Sequence, residues 1–533
     1  MAALTERYGL VFRFNEEKQA VVVYREAWRT EAPPAGMLLR ATMNAPMAES
    51  AKMAMPGVVG YAPPPRFNTE EYGRINDNGF QEALSTPVST LSIDVDSASY
   101  SNVRRFVNSG RLPPADAVRT EEMLNYFSYD YPQPAGEHPF SVTTEVGDCP
   151  WQPGHKLVMV GLQGKSIRQE EMPPGNLVFL IDVSGSMSSP NKLPLLKTAF
   201  KMLVRELRAE DKVAIVVYAG RAGVVLEPTA GSEKEKIVAA IDSLQAGGST
   251  AGGAGLRLAY EVAREGFLKN GNNRVILATD GDFNVGVSSE GELTRLIEER
   301  RSDGVFLSVL GFGMGNIKDN KMEALADKGN GMYAYIDGAQ EAKKVLVGQL
   351  AGTLYTIAKD VKLQVEFNPA KVKEYRLIGY ENRVMDKRDF NDDKKDAGDM
   401  GAGHAVTVLY EVVPADAKDA AGPDEPLVYQ RPVLVASDDF LQVKIRYKKP
   451  AEDVSRLLVK KIGGELTAGS SDNFRFAAAV AEYAMLLRNS EFRGQATYRQ
   501  ALALAQGARG ADREGYRAEF VRLVEVSELL EGK

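Results

Sequence analysis

A chain of 533 residues is longer than one hydrophobic core supports, so several domains are expected. Hydrophobic content of 44%, charged content of 26% and a net charge of −7 with acids and bases interspersed are those of a soluble globular protein, and they exclude the basic stripe of a nucleic-acid binder. No apolar run approaches the ~20 residues that span a bilayer; one cysteine (Cys149) excludes an internal disulfide framework and a cysteine–zinc cluster, and three dispersed histidines (His138, His155, His404) disfavour a histidine-metal or triad enzyme.

Residues 1–30 carry charges throughout (Glu6, Arg7, Arg13, Glu16, Glu17, Lys18), so they show no signal-peptide pattern. Alternation on either side of Asn15–Lys18 predicts a short β-hairpin, the remnant of a larger unit. Residues 31–66, rich in Pro, Ala, Met and Gly, are expected to be a flexible linker; their methionines are irregularly spaced and lack histidine, which disfavours a copper site. Residues 67–135 are expected to form a small α/β unit, with a strand at Leu91–Asp96 and helices from Ser99 and over Val118–Phe127. Residues 136–172 hold two β-like runs, Phe140–Val146 and Lys156–Leu162, expected to join a later sandwich. Gly164-Lys165-Ser166 is not a phosphate loop, because Met159 stands where its first glycine belongs.

Residues 173–355 alternate between apolar strands and amphipathic helices, as a doubly wound parallel sheet requires. Two strands end in oxygen-bearing residues. Asn176–Ile181 is followed by Asp182-Val183-Ser184-Gly185-Ser186, and Arg274–Thr279 by Asp280-Gly281-Asp282. Between them, Gly247-Gly248-Ser249-Thr250 places a hydroxyl in a glycine loop before a helix. In open α/β sheets ligands bind beyond the strand C-termini, and hard cations take oxygen donors of these kinds. Capping of the next helix explains the Asp and Ser residues after the first strand but not Thr250 and Asp280.

This ordered set, D-x-S-x-S, a later loop threonine and a later strand-end aspartate, resembles the von Willebrand factor type A (VWA) domain and its metal-ion-dependent adhesion site. The resemblance implies a Rossmann-like α/β fold and a divalent cation, Mg²⁺ first, with Ca²⁺ or Mn²⁺ as alternatives. Ser184, Ser186 and Thr250 would be hydroxyl ligands, and Asp182 and Asp280 would bind directly or through water. Integrin-like VWA domains carry further acids just after this motif for an adjacent cation; Met187–Asn191 supplies none, which implies a single metal. The segment Ser99–Phe106 and the run Asp396–His404 are similar to regions flanking the VWA domain in bacterial envelope proteins, so the resemblance extends from residue 67 to 530 and leans toward an extracytoplasmic location. Gly311-Phe-Gly-Met-Gly315 is expected to be a flexible rim loop beside the metal, and Asp94-Val-Asp96 is rejected as a second metal motif because Asp96 and Ala98 occupy the serine positions.

Beyond residue 355 the period becomes two, predicting a β-sandwich over 356–450, and residues 451–533 are expected to be helical. The apolar stripe Phe476, Val480, Tyr483, Ala484, Leu487 marks one helix and Ala496–Leu530 continues the helical region. The acidic run Asp392–Asp399 lacks an ordered calcium-ligand ladder and is expected to be solvated. The leading expectation is a non-enzymatic binding module in which a partner's Asp or Glu completes the coordination of the cation. A metal-assisted hydrolase would need a base such as Asp282, and a structural envelope scaffold would carry a vestigial site whose acids are salt-bridged internally.

Overall fold

The computed structural model describes residues 10–15, 20–25, 69–248, 252–281, 283, 290–349, 355–417, 434–450, 452–463 and 470–532. Residues 1–64 form one unit, in which β1 (Leu10–Asn15) pairs antiparallel with β2 (Ala20–Arg25), Phe12 opposite Val23. The linker expected over 31–66 lies outside the described residues.

The second unit begins at Pro65. It opens with β3 (Gln81–Glu82), β4 (Val88–Ser92), α1 (Ala98–Asn108), α2 (Thr120–Asn125), β5 (Phe140–Asp148) and β6 (Lys156–Gly164). Helix α2 is shorter than the expected Val118–Phe127. Val118 and Arg119 are extended, and the Arg119 guanidinium reaches across to Asp319.

The α/β domain follows, with β7 (Gly175–Asp182), α3 (Leu193–Glu206), β8 (Lys212–Tyr218), β9 (Ala222–Ala230), α4 (Lys234–Ser243), α5 (Gly252–Glu265), β10 (Asn272–Thr279), α6 (Glu290–Ser302), β11 (Val305–Phe312), α7 (Asp319–Lys328), β12 (Tyr333–Ile336) and α8 (Ala339–Lys343). The sheet order is β12-β11-β10-β7-β8-β9, parallel throughout except for β9 at the edge. Every residue of β7 and β10 is buried, because helices cover both faces of the sheet. Phe179, Ile181 and Ile276 pack against Leu196 and Phe200 of α3 and Ile237 of α4. Leu180, Val216 and Leu277 pack on the other side against Leu256, Tyr260 and Ile297. The chain leaves β7 toward β8 and later returns to its other side with β10, so the topological switch point lies between the C-terminal ends of β7 and β10. After α8 the closing helix widens into a π-helical turn over Lys344–Gln349 instead of running on as α-helix; there Lys344 is drawn inward, its Nζ donating to the Tyr126 carbonyl at 2.5 Å.

The chain then enters β13 (Thr356–Phe367), β14 (Val372–Ile378), β15 (Gly398–Gly401), β16 (Ala405–Pro414), β17 (Asp439–Lys448) and β18 (Arg456–Gly463). Two sheets result. One has the order β15-β13-β17-β18 with β4 also paired to β13, and the other runs β3-β14-β16-β6-β5, so the strands of residues 67–135 (β4 at Val88–Ser92, where Leu91–Asp96 was expected) join the sandwich and form no separate unit. They share a core containing Val160, Leu162 and Val408 from one sheet and Leu363, Val365 and Val443 from the other. Since Val160 of β6 pairs with Val408 of β16, the α/β domain is an insertion in this sandwich.

The stretch 451–533 expected to be helical first holds β18, which extends the sandwich by pairing antiparallel with β17, and only then ends in α9 (Asp472–Arg488), α10 (Tyr498–Gly507) and α11 (Tyr516–Glu531). The expected one-sided stripe on α9 is instead burial all round, from Phe476 to Leu487, since Leu157, Met159 and Leu409 of the sandwich lie on one side and Phe520 and Val524 of α11 on another. The expected stretch Ala496–Leu530 is broken between α10 and α11, where Gly510, Asp512 and Gly515 take left-handed backbone conformations.

The stacked pair Phe179 and Phe200, with centroids 4.2 Å apart, joins β7 to α3. Phe179→Ala is expected to cost about 3–5 kcal/mol in guanidinium denaturation; a loss below about 1 kcal/mol would contradict this packing.

Candidate metal centre

Strand β7 delivers Asp182 to the switch point with no exposed surface. The Ser184 amide donates to Asp182 Oδ1 at 2.8 Å, and Thr279 Oγ1 donates to Oδ2 at a long 3.4 Å, so Oδ2 retains acceptor capacity. The Ser184 and Ser186 hydroxyls are 3.0 Å apart; Ser184 is buried and Ser186 exposed, which gives the oxygen cluster one open side. Neither the 3₁₀ turn at Gly185–Ser188 nor α3 has a side-chain cap, so helix capping does not account for these residues.

The glycine loop docks on the same strand end. Gly247 N donates to Val183 O at 2.7 Å, and Gly185 N donates to Gly248 O at 3.0 Å. Thr250 and Asp282 lie outside the described residues. Across the crevice, Asp280 follows β10 directly and is 1% exposed. Its Oδ2 accepts from Lys192 Nζ at 2.7 Å, whereas Asp182 makes hydrogen bonds and, among the described residues, no salt bridge. Burial raises the Asp182 carboxyl to about 6 against the pull of the Ser184 hydrogen bonds, and the neighbouring Asp280 adds to the rise. The donors are oxygen only, from one carboxylate with a spare acceptor site and two adjacent hydroxyls, which fits a hard divalent cation.

The rim loop Gly311–Gly315 is pinned, contrary to the expectation of flexibility. The Gly313 carbonyl accepts from the Tyr335 hydroxyl, and Gly315 N donates to Glu70 Oε1 at 2.7 Å. The acids of the Asp392–Asp399 run are also partly engaged: Asp393 pairs with Arg446 at 3.2 Å and Asp396 with Arg301 at 2.5 Å.

Asp96, Glu122 and Glu323 form a second acidic cluster, with oxygens within 4.8 Å of one another. Two guanidinium groups are built into it: Arg119 pairs with Glu122 and Asp319, and Arg383 with Asp327 at 2.6 Å, Glu323 at 3.3 Å and Asp96 at 3.6 Å. It is an ion-pair network joining three parts of the chain, and its members lie too far apart in sequence to form a motif. A cavity of about 490 Å³ at the opposite end of the sheet, lined in part by Arg274, Met332 and Lys344, involves none of the motif residues.

Residues 176–347 match the family model described as von Willebrand factor type A domain, residues 66–159 the model described as von Willebrand factor, and residues 352–530 the model described as uncharacterized protein YfbK, C-terminal. The uncharacterized protein YfbK of Escherichia coli (strain K12) is 45% identical over 471 residues, covering 86% of this chain and 81% of that protein. The chain belongs to the YfbK family of VWA-domain proteins. Inter-alpha-trypsin inhibitor heavy chain H3 of Pongo abelii is 25% identical over 297 residues, 51% of this chain and 33% of that protein. Among solved structures, von Willebrand factor type A from Catenulispora acidiphila is similar over 72% of this chain and 90% of that one, at 18% identity and a TM-score of 0.41. The VWA domain, a protein-interaction module, is therefore the six-stranded unit, and Asp182, Ser184 and Asp280 lie at its switch point.

Gly281 holds the Asp280 turn at φ +102°, where a Cβ would also strike the Asn316 carbonyl of the rim. Gly281→Ala should lower stability by about 1–3 kcal/mol in urea denaturation; an unchanged midpoint would contradict this turn.

Proposed function

We propose that the VWA domain binds a protein partner through a divalent cation held by Asp182, Ser184, Ser186, Thr250 and Asp280, the partner's Asp or Glu completing the coordination. The observation that carries this reading is the convergence of Asp182, Ser184 and Ser186 with Asp280 and the Gly247–Gly248 loop at one crevice of the sheet. The cation, Mg²⁺ first with Ca²⁺ or Mn²⁺ as alternatives, supplies positive charge that neutral hydroxyls leave incompletely quenched. The chain contributes the rest: Ser184 N orients Asp182, the buried sheet keeps water off its inner side, and exposed Ser186 marks the approach for a partner.

Calorimetric titration of Mn²⁺ into the chelator-treated full chain tests this proposal. Wild type should bind and Asp182→Ala should lose at least about tenfold in affinity, the order expected when a metal site is damaged; equal binding by both would sink the reading. The cation needs the ionised carboxylate. With Asp182 raised to about 6, affinity should fall as pH drops through that value, by about tenfold between pH 7.5 and 5. A flat profile would remove Asp182 from the ligand set.

The Lys192–Asp280 ion pair favours a second reading, in which the site is internally neutralised and the chain is a structural scaffold. That reading predicts no cation binding to wild type and unchanged partner capture after chelation.

A further inference from the structure

Lys192 belongs to none of the ligand positions, yet it is built into the centre. It precedes α3, is 8% exposed, and places Nζ 2.7 Å from Asp280 Oδ2. A lysine so buried normally extends its ammonium to water; here the stem is roofed by the rim loop. Gly313 has φ +80°, and a Cβ on it would collide with the Lys192 Cγ, Cδ and Cε atoms. The roof is itself tied down. Tyr335 holds the Gly313 carbonyl, and Glu70, which pairs with Arg105 at 2.8 Å, holds the Gly315 amide. The ammonium is thus confined beside Asp280, and the missing side chain of Gly313 is the space its stem requires.

We infer that Lys192 is a fixed counter-charge of the metal centre, weakening its hold on a divalent cation while raising the net positive charge presented to an acidic partner. This rests on the cation-site reading above. Asp182 and Asp280 ionised with a divalent cation sum to zero; with the Lys192 ammonium the same centre is +1. A partner carboxylate therefore meets a charged centre where it would otherwise meet a neutral one, and the cation meets repulsion from a charge that cannot swing away.

The experiment titrates Mn²⁺ by calorimetry into the chelator-treated full chain as wild type, Lys192→Met, Lys192→Gln and Asp182→Ala. Lys192→Met and Lys192→Gln are expected to bind Mn²⁺ about tenfold or more tighter than wild type, since a like charge at close range is removed. Binding by these variants where wild type shows none supports the same role in its strongest form. Equal or weaker binding by both, with wild type binding and Asp182→Ala not, overturns the counter-charge and leaves the metal site standing. If no form binds, both readings fall. Removing the ammonium leaves Asp280 buried without its partner, so the melting temperature of Lys192→Met should drop without cation and rise more with Mn²⁺ than that of wild type. A variant that stays unfolded in saturating Mn²⁺, or rises no more than wild type, overturns the inference.

Discussion

The constraint on which the rest depends is the burial of β7 on both faces between β8 and β10. A strand with helices on each side has no solvent-facing row of side chains, so its polar groups are confined to its ends. The switch of connection direction on either side of β7 opens a crevice at the C-terminal end of that strand. Asp182 emerges there, and β10 delivers Asp280 opposite it because the two strands run parallel and in register from Asn176 and Asn273 to Ile181 and Ala278. The crevice is therefore a product of sheet topology, and the carboxylates meet without any local motif spanning the chain between them.

Around this domain the chain builds a support that ordinary loop packing would not supply. Arg104 of α1 pairs with Asp337 at 2.5 Å and Glu341 at 2.7 Å beside the closing helix, and with Glu519 of α11 at 2.8 Å. Arg119 and Arg383 do the same at α7, joining the segment before β5 and the turn after β14 to the VWA domain. Buried pairs of this kind add little net stability over apolar packing, but breaking one leaves an uncompensated charge. The Glu70–Gly315 contact extends that support to the rim of the crevice.

Much of this was legible in the residues. The unbroken apolar runs of β7 and β10, the strand-end aspartates and the period of two beyond residue 355 each report a local physical state: burial on two faces, a crevice, burial on one face. What escaped was non-local or broke its own pattern. Lys192 and Asp280 are 88 residues apart, and nothing in the sequence near either announces their ion pair. The strand β18 was missed because Lys460 and Lys461 interrupt an alternation already weakened by the exposed Leu457 and Val459. Helix α9 carries an apolar stripe in sequence, but its alanines (Ala477, Ala478, Ala479, Ala481) are small enough to let neighbours approach from every side, and amphipathic reading gives them no direction.

The central claim is that Asp182, Ser184 and Ser186 hold a divalent cation at the end of β7. Crystals of the full chain grown with Mn²⁺ and measured at an X-ray wavelength where manganese scatters anomalously test it most directly. The account predicts one anomalous peak in the crevice between β7 and β10, within bonding distance of oxygens of Asp182, Ser184 and Ser186. A clear map with no peak there, and the Asp182 carboxylate left to protein hydrogen bonds alone, would contradict it.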